Sequence, residues 1–378
     1  MIDPKYFFEL LLSNGINFFT GVPDSLLKEF CGYVSDNVSK EDHIINSSEG
    51  GAIALATGSY LTTGKPAMVY MQNSGLGNAV NPLLSLADKE VYSIPILMMI
   101  GWRGEPGKKD EPQHIKQGRV MLKMLEAMEI PYTLINKDTG DIETIIKNIC
   151  DELKEKKSAH ALVISEGTFE KYTLKNDTTS AYELMREDAV KLIIDNIESD
   201  AVIVSTTGKT SREVFEYRKS KKQGHEKDFL TVGSMGHCSE IALGIALHNK
   251  NKKVYILDGD GAVIMHMGSM AIIGSSDCEN IKHIIINNGA HDSVGGQPTV
   301  GFGIEFTEIA RACGYKKVFS AETTVGIVEK LSDMKNTKGP TLLEIRVNKG
   351  AREDLGRPTS SPEENKLSFM NYLNQETQ

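Results

Sequence analysis

The sequence has few cysteines and no long hydrophobic segment. The five cysteines among 378 residues are widely spaced, odd in number and form no Cys-x-x-Cys pair; they stand at positions 31, 150, 238, 278 and 313. This pattern predicts neither a disulfide framework nor a zinc site, and we expect a reducing, cytoplasmic compartment. The longest strongly apolar stretch, residues 94–102, is too short to cross a bilayer. The N-terminal residues lack the basic and apolar blocks of a signal peptide.

Basic residues are also fewer than acidic ones. Lys and Arg total 42 against 51 Asp and Glu, which gives a formal net charge of −9. Such a chain has no basic footprint for nucleic acid or for an anionic membrane surface, and we expect neither as a partner. Any anionic ligand must therefore be bound by a local group of donors.

Three common ligand-binding motifs are missing as well. Residues 208–210 read Gly-Lys-Thr, but a Walker A loop requires a glycine five residues before Gly208, where the sequence has Ile203. The glycine pairs at 50–51 and 295–296 do not form a Gly-x-Gly-x-x-Gly fingerprint, and the nine histidines form no His-Glu-x-x-His arrangement. The sequence therefore predicts no P-loop, dinucleotide-binding or zinc-protease function.

Short apolar runs alternate with helical patterns in two series. The predicted strands are residues 16–23, 43–46, 66–72, 94–100, 132–136 and 160–165 in the first series, and 201–205, 253–258, 282–287 and 341–347 in the second. This alternation predicts parallel sheets covered on both faces, so the expected fold class is α/β with two doubly wound parallel-sheet domains. We expect a first domain over residues 1–168, a polar linker over 169–180 and a second domain over 181–378 that ends in a C-terminal tail.

Polar motifs follow two predicted strands of the second domain. Asp260 lies in LDGDG after one apolar run, and Asn287 lies in IINNG after the next, 27 positions later. Ligands of open parallel sheets bind at the carboxyl ends of the strands, where these two side chains are expected to meet. Together with a backbone carbonyl such as that of Gly289, they form a ligand set that suits Mg²⁺. Gly259 and Gly261 would let the backbone approach a diphosphate group closely.

The paired motif resembles the magnesium and diphosphate motif of the thiamine-diphosphate enzymes, although a lone Gly-Asp-Gly would be read as a turn and an asparagine pair as a strand-end cap. Nearly the whole chain resembles the 2-oxoacid decarboxylases of that family; the segments that carry this resemblance are GVPDSLL (21–27), QNSGLGNAVNPL (72–83), GWRGEPGKKDEPQH (101–114), STTGKTSRE (205–213), GAHDSVGGQPT (289–299) and REDLGRPTSSPEENK (352–366). The resemblance implies thiamine diphosphate and Mg²⁺ as cofactors. It also implies a pyrimidine-binding first domain and a diphosphate-binding second domain, without the middle domain of larger members.

The resemblance assigns cofactor roles to several residues. Glu49, which opens a helix of small residues, corresponds to the glutamate that hydrogen-bonds the aminopyrimidine ring and activates the cofactor. Gly233 corresponds to the residue whose carbonyl accepts from the pyrimidine amino group, and Met235 to the apolar residue that supports the bent cofactor. Thr210 and Ser211 are expected near the cofactor. The alternatives are a helix-start acid for Glu49 and an ordinary core methionine for Met235.

The resemblance further implies a substrate, 3-phosphonopyruvate, which would be decarboxylated to phosphonoacetaldehyde and CO₂ in phosphonate biosynthesis. Ser25 and Arg103 are expected on the substrate side, where a guanidinium could hold a phosphonate; the alternatives are a turn serine and a solvated basic loop. His291 and Asp292 are interpreted as proton donors or loop anchors.

Three alternative functions stay open at this stage. Sulfopyruvate is the alternative substrate, and an acetolactate-synthase-like carboligase or a non-catalytic cofactor-binding protein are the others. Glu49 argues against a pure binding protein, which has no need of an activating acid. The resemblance also puts Glu49 of one subunit beside Asp260 of another, so we expect at least a dimer with active sites at subunit interfaces.

Overall fold

The computed structural model describes residues 1–175 and 180–374. Backbone contacts divide the chain into two compact units, Met1–Asp177 and Thr178–Gln378, which we call the first and the second unit. The predicted linker over 169–180 falls at this division, but its residues 176–179 lie outside the described residues, as do residues 375–378 of the predicted second domain.

The first unit is built on a six-stranded sheet in which all paired strands run parallel, in the order β2-β1-β3-β4-β6-β5. Its strands are β1 (Phe19–Gly21), β2 (His43–Ile45), β3 (Ala67–Gln72), β4 (Ile96–Gly101), β5 (Tyr132–Ile135) and β6 (His160–Ile164). Its helices are α1 (Pro4–Ser13), α2 (Lys28–Asn37), α3 (Glu49–Thr63), α4 (Leu76–Pro82), α5 (Pro112–Ala127) and α6 (Ile142–Lys156). A 3₁₀ turn (Asn73–Gly75) precedes α4, and a π-helical turn (Leu83–Ala87) follows it.

The central strands of this sheet are apolar on both faces because helices cover both. In β3, Met68 and Tyr70 belong to one hydrophobic cluster, whereas Val69 and Met71 belong to the other. Successive side chains of a strand point to opposite faces, so a continuous apolar run is what a doubly covered strand requires. Polar side chains therefore lie mainly at the strand ends, where they can contact a ligand.

The second unit repeats this architecture with the parallel order β11-β12-β10-β9-β7-β8. Its strands are β7 (Val202–Ser205), β8 (Asp228–Leu230), β9 (Val254–Gly259), β10 (Ile281–Asn287), β11 (Lys317–Ala321) and β12 (Thr341–Arg346). Its helices are α7 (Arg186–Asn196), α8 (Lys209–Ser220), α9 (Cys238–His248), α10 (Asp260–Met265), α11 (Gly268–Gly274), α12 (Phe306–Ala312), α13 (Thr324–Asn336) and α14 (Pro362–Asn374). A 3₁₀ turn covers Gly301–Gly303.

The register of β9 and β10 sets the position of the predicted metal ligands. Ile286 pairs with Gly259 in this parallel ladder, so the next residue of each strand, Asn287 and Asp260, emerges at the same carboxyl edge. The prediction of two doubly wound parallel sheets is confirmed.

Part of the second unit differs from the sequence prediction. The two outer strands, β8 and β11, were not predicted, and the expected C-terminal tail contains α14. Asn365 of α14 donates to the Asp228 carbonyl at 2.8 Å and accepts from Leu230 N at 3.1 Å. Phe369 is 3% exposed, so this helix packs over the edge strand β8 and protects it.

Helix length and polarity also bear on membrane insertion. Within residues 1–175 and 180–374, no helix combines the length and the apolar character needed to cross a membrane.

Candidate active site

Asp260 is a buried carboxylate at the end of β9, where it opens α10. Only 2% of the residue is exposed, and the Thr299 hydroxyl donates a hydrogen bond to its Oδ2. Burial raises the pKa of Asp260 to about 6, against the opposing effect of hydrogen bonds from Thr299 and from backbone amides. A cation beside this carboxylate would favour its charged form.

Asn287 ends β10 and is fully buried, with 0% exposure. Its amide nitrogen donates to the Gly301 carbonyl at 2.8 Å and to Glu344 Oε1 at 2.8 Å. Its amide oxygen accepts from Gly289 N at 3.2 Å. These contacts fix which end of the amide points into the site.

The side-chain oxygens of Asp260 and Asn287 face one small space beside Gly301. A methyl group on Gly301 would lie 2.5 Å from Asp260 Oδ2 and 2.7 Å from Asn287 Oδ1. The described residues contain no group of three or more His, Cys, Asp or Glu side chains that could hold a metal ion, so a site here depends on one carboxylate, one amide and backbone oxygens. Mg²⁺ accepts such a set when phosphate oxygens or waters complete the octahedron. The residues present therefore fit Mg²⁺.

Gly289, the predicted source of a backbone ligand, lies next to this space. Its φ is +63°, and a side chain would overlap the Phe302 ring at 2.5 Å, so the position requires glycine. The Gly289 carbonyl accepts from Thr299 N at 2.9 Å, and a carbonyl oxygen has a second lone pair that could bind a metal ion.

His291 lies against the predicted diphosphate turn. A methyl group on Gly261 would approach His291 Cε1 to 3.1 Å and Thr299 Cγ2 to 3.4 Å. Burial lowers the pKa of His291 to about 4, so the imidazole is neutral near pH 7. It can donate or accept a hydrogen bond there, but it is a weak source of positive charge.

Asp292 ties the loop after β10 to other parts of the second unit. Its Oδ2 accepts from Arg186 Nη1 at 2.5 Å, from Asn288 Nδ2 at 2.8 Å and from Gly350 N at 3.0 Å. With its acceptor positions engaged in this way, Asp292 favours the loop-anchor interpretation over that of a proton donor.

Thr210 and Ser211 lie in the first turn of α8, and both are buried. The Ser211 hydroxyl donates to the Thr206 carbonyl at 2.7 Å and lies 2.8 Å from Ser205 Oγ. This hydroxyl therefore holds the end of β7 to the start of α8. Its expected position near the cofactor stays a prediction.

Gly233 and Met235 lie in a turn that contacts the same region. Gly233 N donates to Thr207 Oγ1 at 2.9 Å, and the Gly233 φ is +75°. Met235 is half-buried. The structure thus brings the turn at Gly233 against the loop that precedes Thr210 and Ser211, and the expected position of these residues near the cofactor stays a prediction.

Glu49 is a buried acid in the first unit at the start of α3, with 5% exposure. Asn78 Nδ2 donates to its Oε2 at 2.9 Å. Gly75 lies directly against the carboxylate, because a methyl group there would be 2.1 Å from Glu49 Oε1. Glu49 is therefore held in one position by its neighbours.

Ser25 and Arg103, the predicted substrate residues, are in contact. Arg103 Nη1 donates to Ser25 Oγ at 2.7 Å, while its Nε and Nη2 donate to Asp110. Burial alone would raise the pKa of Asp110, but hydrogen bonds from Arg103 and His114 lower it well below its usual range. Because Asp110 engages Nε and Nη2, Arg103 contacts Ser25 through Nη1, and the substrate role of both residues stays a prediction.

Five residues at these sites were not predicted from the sequence. They are Asn78, Gln297, Thr299, Gly301 and Glu344. Gln297 is 1% exposed, and its amide oxygen and nitrogen have no hydrogen-bond partner among the described residues. For Glu344 the available signal was a lone acid within an apolar strand pattern, residues 341–347.

Two protein-family models match the chain. The N-terminal thiamine pyrophosphate-binding domain of thiamine pyrophosphate enzymes matches residues 4–130, and the C-terminal thiamine pyrophosphate-binding domain matches residues 206–345. These matches fall within the first and the second unit respectively.

Four curated proteins show how far the similarity extends. Phosphonopyruvate decarboxylase of Streptomyces viridochromogenes is 33% identical over 95% of this chain and 92% of its own length. Sulfopyruvate decarboxylase of Methanosarcina acetivorans is 26% identical over 97% of this chain and 96% of its own. Subunit alpha of the sulfopyruvate decarboxylase of Methanococcus maripaludis is 41% identical over 33% of this chain and 72% of its own length. Subunit beta from the same organism is 35% identical over 36% of this chain and 70% of its own length.

The packing of Gly75 gives a test of the Glu49 carboxylate. We expect Gly75→Ala to displace that carboxylate and to lower kcat for a 2-oxoacid substrate, because a displacement of about 1 Å can cost roughly 10²-fold in rate. Gly77→Ala is the matched control, since a methyl group there would have no described atom within 4 Å apart from its chain neighbours and the backbone of its own helix. Steady-state kinetics of both variants check this, and equal kcat values would contradict a catalytic position for Glu49.

Proposed function

The chain belongs to the thiamine-diphosphate-dependent decarboxylases, in the branch of the phosphonopyruvate and sulfopyruvate enzymes, and from this premise we propose that its substrate is 3-phosphonopyruvate. The products would be phosphonoacetaldehyde and CO₂. The observation that carries the choice of substrate is the similarity along 95% of the chain to a phosphonopyruvate decarboxylase at 33% identity, against 26% for a full-length sulfopyruvate decarboxylase.

We propose that Mg²⁺ is bound by Asp260, Asn287 and the Gly289 carbonyl. The support is the pair of oxygens that face one space beside Gly301 and the buried, poorly solvated Asp260 carboxylate. Phosphate oxygens of the cofactor would complete the coordination, with the backbone at Gly259 and Gly261 in close approach.

Thiamine diphosphate, when bound, supplies a nucleophilic carbon and accepts the electrons left by the departing carboxylate. In the proposal, Glu49 holds the pyrimidine ring nitrogen through one carboxylate oxygen, while Asn78 fixes the other oxygen at 2.9 Å. The Gly233 carbonyl would accept a hydrogen bond from the pyrimidine amino group, and Met235 would pack against the cofactor. Thr210 and Ser211, at the start of α8, would lie near it.

Ser25 and Arg103 would contact the substrate from the first unit. The Ser25 oxygen accepts a hydrogen bond from Arg103 at 2.7 Å, which leaves the Ser25 hydroxyl hydrogen free to donate to an anionic oxygen. The guanidinium strengthens that donor, because a hydrogen bond from a charged group polarises the hydroxyl. A phosphonate offers more acceptor oxygens to such a donor than an apolar methyl group does.

The loop after β10 would contribute to the substrate side in the second unit. Asp292 fixes this loop through Arg186, which leaves His291 beside the diphosphate turn as a neutral hydrogen-bonding group. We add Gln297 to the proposed substrate residues, since a buried amide without a protein partner among the described residues is costly unless a ligand pairs with it.

The proposed setting is phosphonate biosynthesis in a reducing, cytoplasmic compartment. All five cysteines are free in the structure, as a reducing environment maintains them. The reaction would supply an aldehyde that carries a phosphonate group to the next enzyme.

We propose that the chain forms a homo-oligomer whose active sites combine residues of two subunits. Glu49 lies in the first unit and Asp260 in the second, and the sulfopyruvate relatives of M. maripaludis are named as separate alpha and beta subunits. Two half-sites carried by different units can be joined across subunits as well as within one chain.

The substrate assignment is tested by measuring kcat/KM for phosphonopyruvate, sulfopyruvate and pyruvate in the presence of Mg²⁺ and thiamine diphosphate, with CO₂ and the aldehyde identified. We expect phosphonopyruvate to be preferred. Pyruvate leaves the anion donors unpaired, which costs about 1–3 kcal/mol for each buried donor, or roughly tenfold to a hundredfold in specificity. A preference for sulfopyruvate would assign the sister activity, and a preference for pyruvate would contradict an anion-binding site.

The shared active site is tested by refolding inactive Glu49→Gln and Asp260→Ala proteins together. A mixed oligomer has some sites that carry neither substitution, so activity should return in the mixture but not when either variant is refolded alone. Mixed assembly is verified with two different affinity tags. Purified mixed oligomers without activity would show that each site is formed by one chain.

A further inference from the structure

We propose that Glu344 is a positioning residue that fixes the orientation of the metal ligand Asn287. Glu344 lies in β12, which runs parallel to β10, and the ladder pairs Ile285 with Glu344 and Asn287 with Arg346. Glu344 is 1% exposed, and its Oε1 accepts from Asn287 Nδ2 at 2.8 Å. This inference rests on the magnesium site proposed above.

The two ends of the Asn287 amide differ in what they can bind. A metal ion can be bound by the amide oxygen but is repelled by the NH₂ group, so the orientation of the amide decides whether Asn287 is a ligand. The NH₂ group has two acceptors, the Gly301 carbonyl and Glu344 Oε1, each at 2.8 Å. Both hydrogens are therefore directed away from Asp260, and the oxygen is directed towards it.

An acid at position 344 is energetically unfavourable for the strand. The other inner residues of β12 are Thr341, Leu342, Leu343 and Ile345, all of them buried. An apolar residue would pack there without the desolvation of a carboxylate, which is strongly unfavourable unless the carboxylate is paired. A buried acid in this strand thus calls for a role beyond packing.

Glu344 has a second hydrogen-bond partner, Arg346. Arg346 Nε donates to Glu344 Oε1 at 3.1 Å, the same oxygen that Asn287 contacts. The arginine pairs with the carboxylate and keeps that oxygen in place. Arg346, Glu344 and Asn287 therefore form a chain of hydrogen bonds that ends at the proposed metal site. Metal ligands in proteins are commonly oriented by such supporting residues.

The test is the affinity of the protein for Mn²⁺, a paramagnetic substitute for Mg²⁺, measured by electron paramagnetic resonance at saturating thiamine diphosphate. We expect Glu344→Ala to raise the Kd for Mn²⁺ by about 10–100-fold, the usual effect of losing such a partner. Glu344→Gln keeps an acceptor oxygen and should stay close to the wild type. Glu344→Leu keeps the volume and should weaken Mn²⁺ binding as Glu344→Ala does, which preserves the test if the alanine variant fails to fold.

Asp228→Ala is the matched control. Asp228 is also a buried acid of the second unit paired with an arginine, at 3.0 Å from Arg218, but it lies on the edge strand β8. Its loss should lower the melting temperature without changing the Kd for Mn²⁺. Melting temperatures of the metal-free variants separate a loss of stability from a loss of ion affinity.

The outcomes distinguish this inference from the proposed function. If the wild type shows no saturable Mn²⁺ binding, the proposed magnesium site is wrong. If the wild type binds Mn²⁺ and Glu344→Leu or Glu344→Ala binds it equally well, the site stands and the role of Glu344 is wrong. An equal loss of affinity in Asp228→Ala would also overturn the inference, because the effect would then be general to buried acids.

Discussion

The site of the second unit depends on the Asp260 carboxylate, which is buried without a cationic partner among the described residues. Two other buried acids of this unit do have one: Glu213 pairs with Arg186 at 2.8 Å, and Asp228 pairs with Arg218 at 3.0 Å. Asp260 has only a hydroxyl and backbone amides, and its raised pKa reflects the resulting lack of solvation. A negative charge in this position is poorly solvated, and an ion bound in the proposed magnesium site would stabilise it.

Several local features are consistent with the proposed binding of an ion by this carboxylate. The register of β9 and β10 puts Asn287 beside it, and Gly301 keeps the space between them clear because even a methyl group would touch both oxygens. The contacts of the amide nitrogen then turn the Asn287 oxygen inwards. In the first unit the same principle applies to Glu49, which is held by one donor and enclosed by Gly75. Each half-site therefore consists of a charged group and a glycine that leaves room for it.

The features that could be predicted from the sequence are those that depend on a single continuous segment. Continuous apolar runs identified the central strands, and the polar residues after two of them identified Asp260 and Asn287, since parallel strands end at a common edge. The outer strands β8 and β11 were missed because β8 is three residues long and β11 is partly exposed, so neither has a continuous apolar run. Contacts between distant segments were also beyond sequence patterns. Neither Asp110 beside Arg103 nor Glu344 behind Asn287 follows from spacing, because the loop path decides the first and strand register the second.

The central claim, that the buried Asp260 is there to hold a magnesium ion and with it the cofactor, is tested most directly by thermal unfolding of Asp260→Asn with and without the two ligands. In the metal-free protein the neutral amide removes a poorly solvated charge, so the variant should melt at a higher temperature than the wild type. Adding Mg²⁺ and thiamine diphosphate together should raise the melting temperature of the wild type and leave that of the variant unchanged, because a ligand stabilises only the protein that binds it. A variant that melts at or below the wild-type temperature when metal-free, and that gains as much stability from the two ligands, would contradict the account.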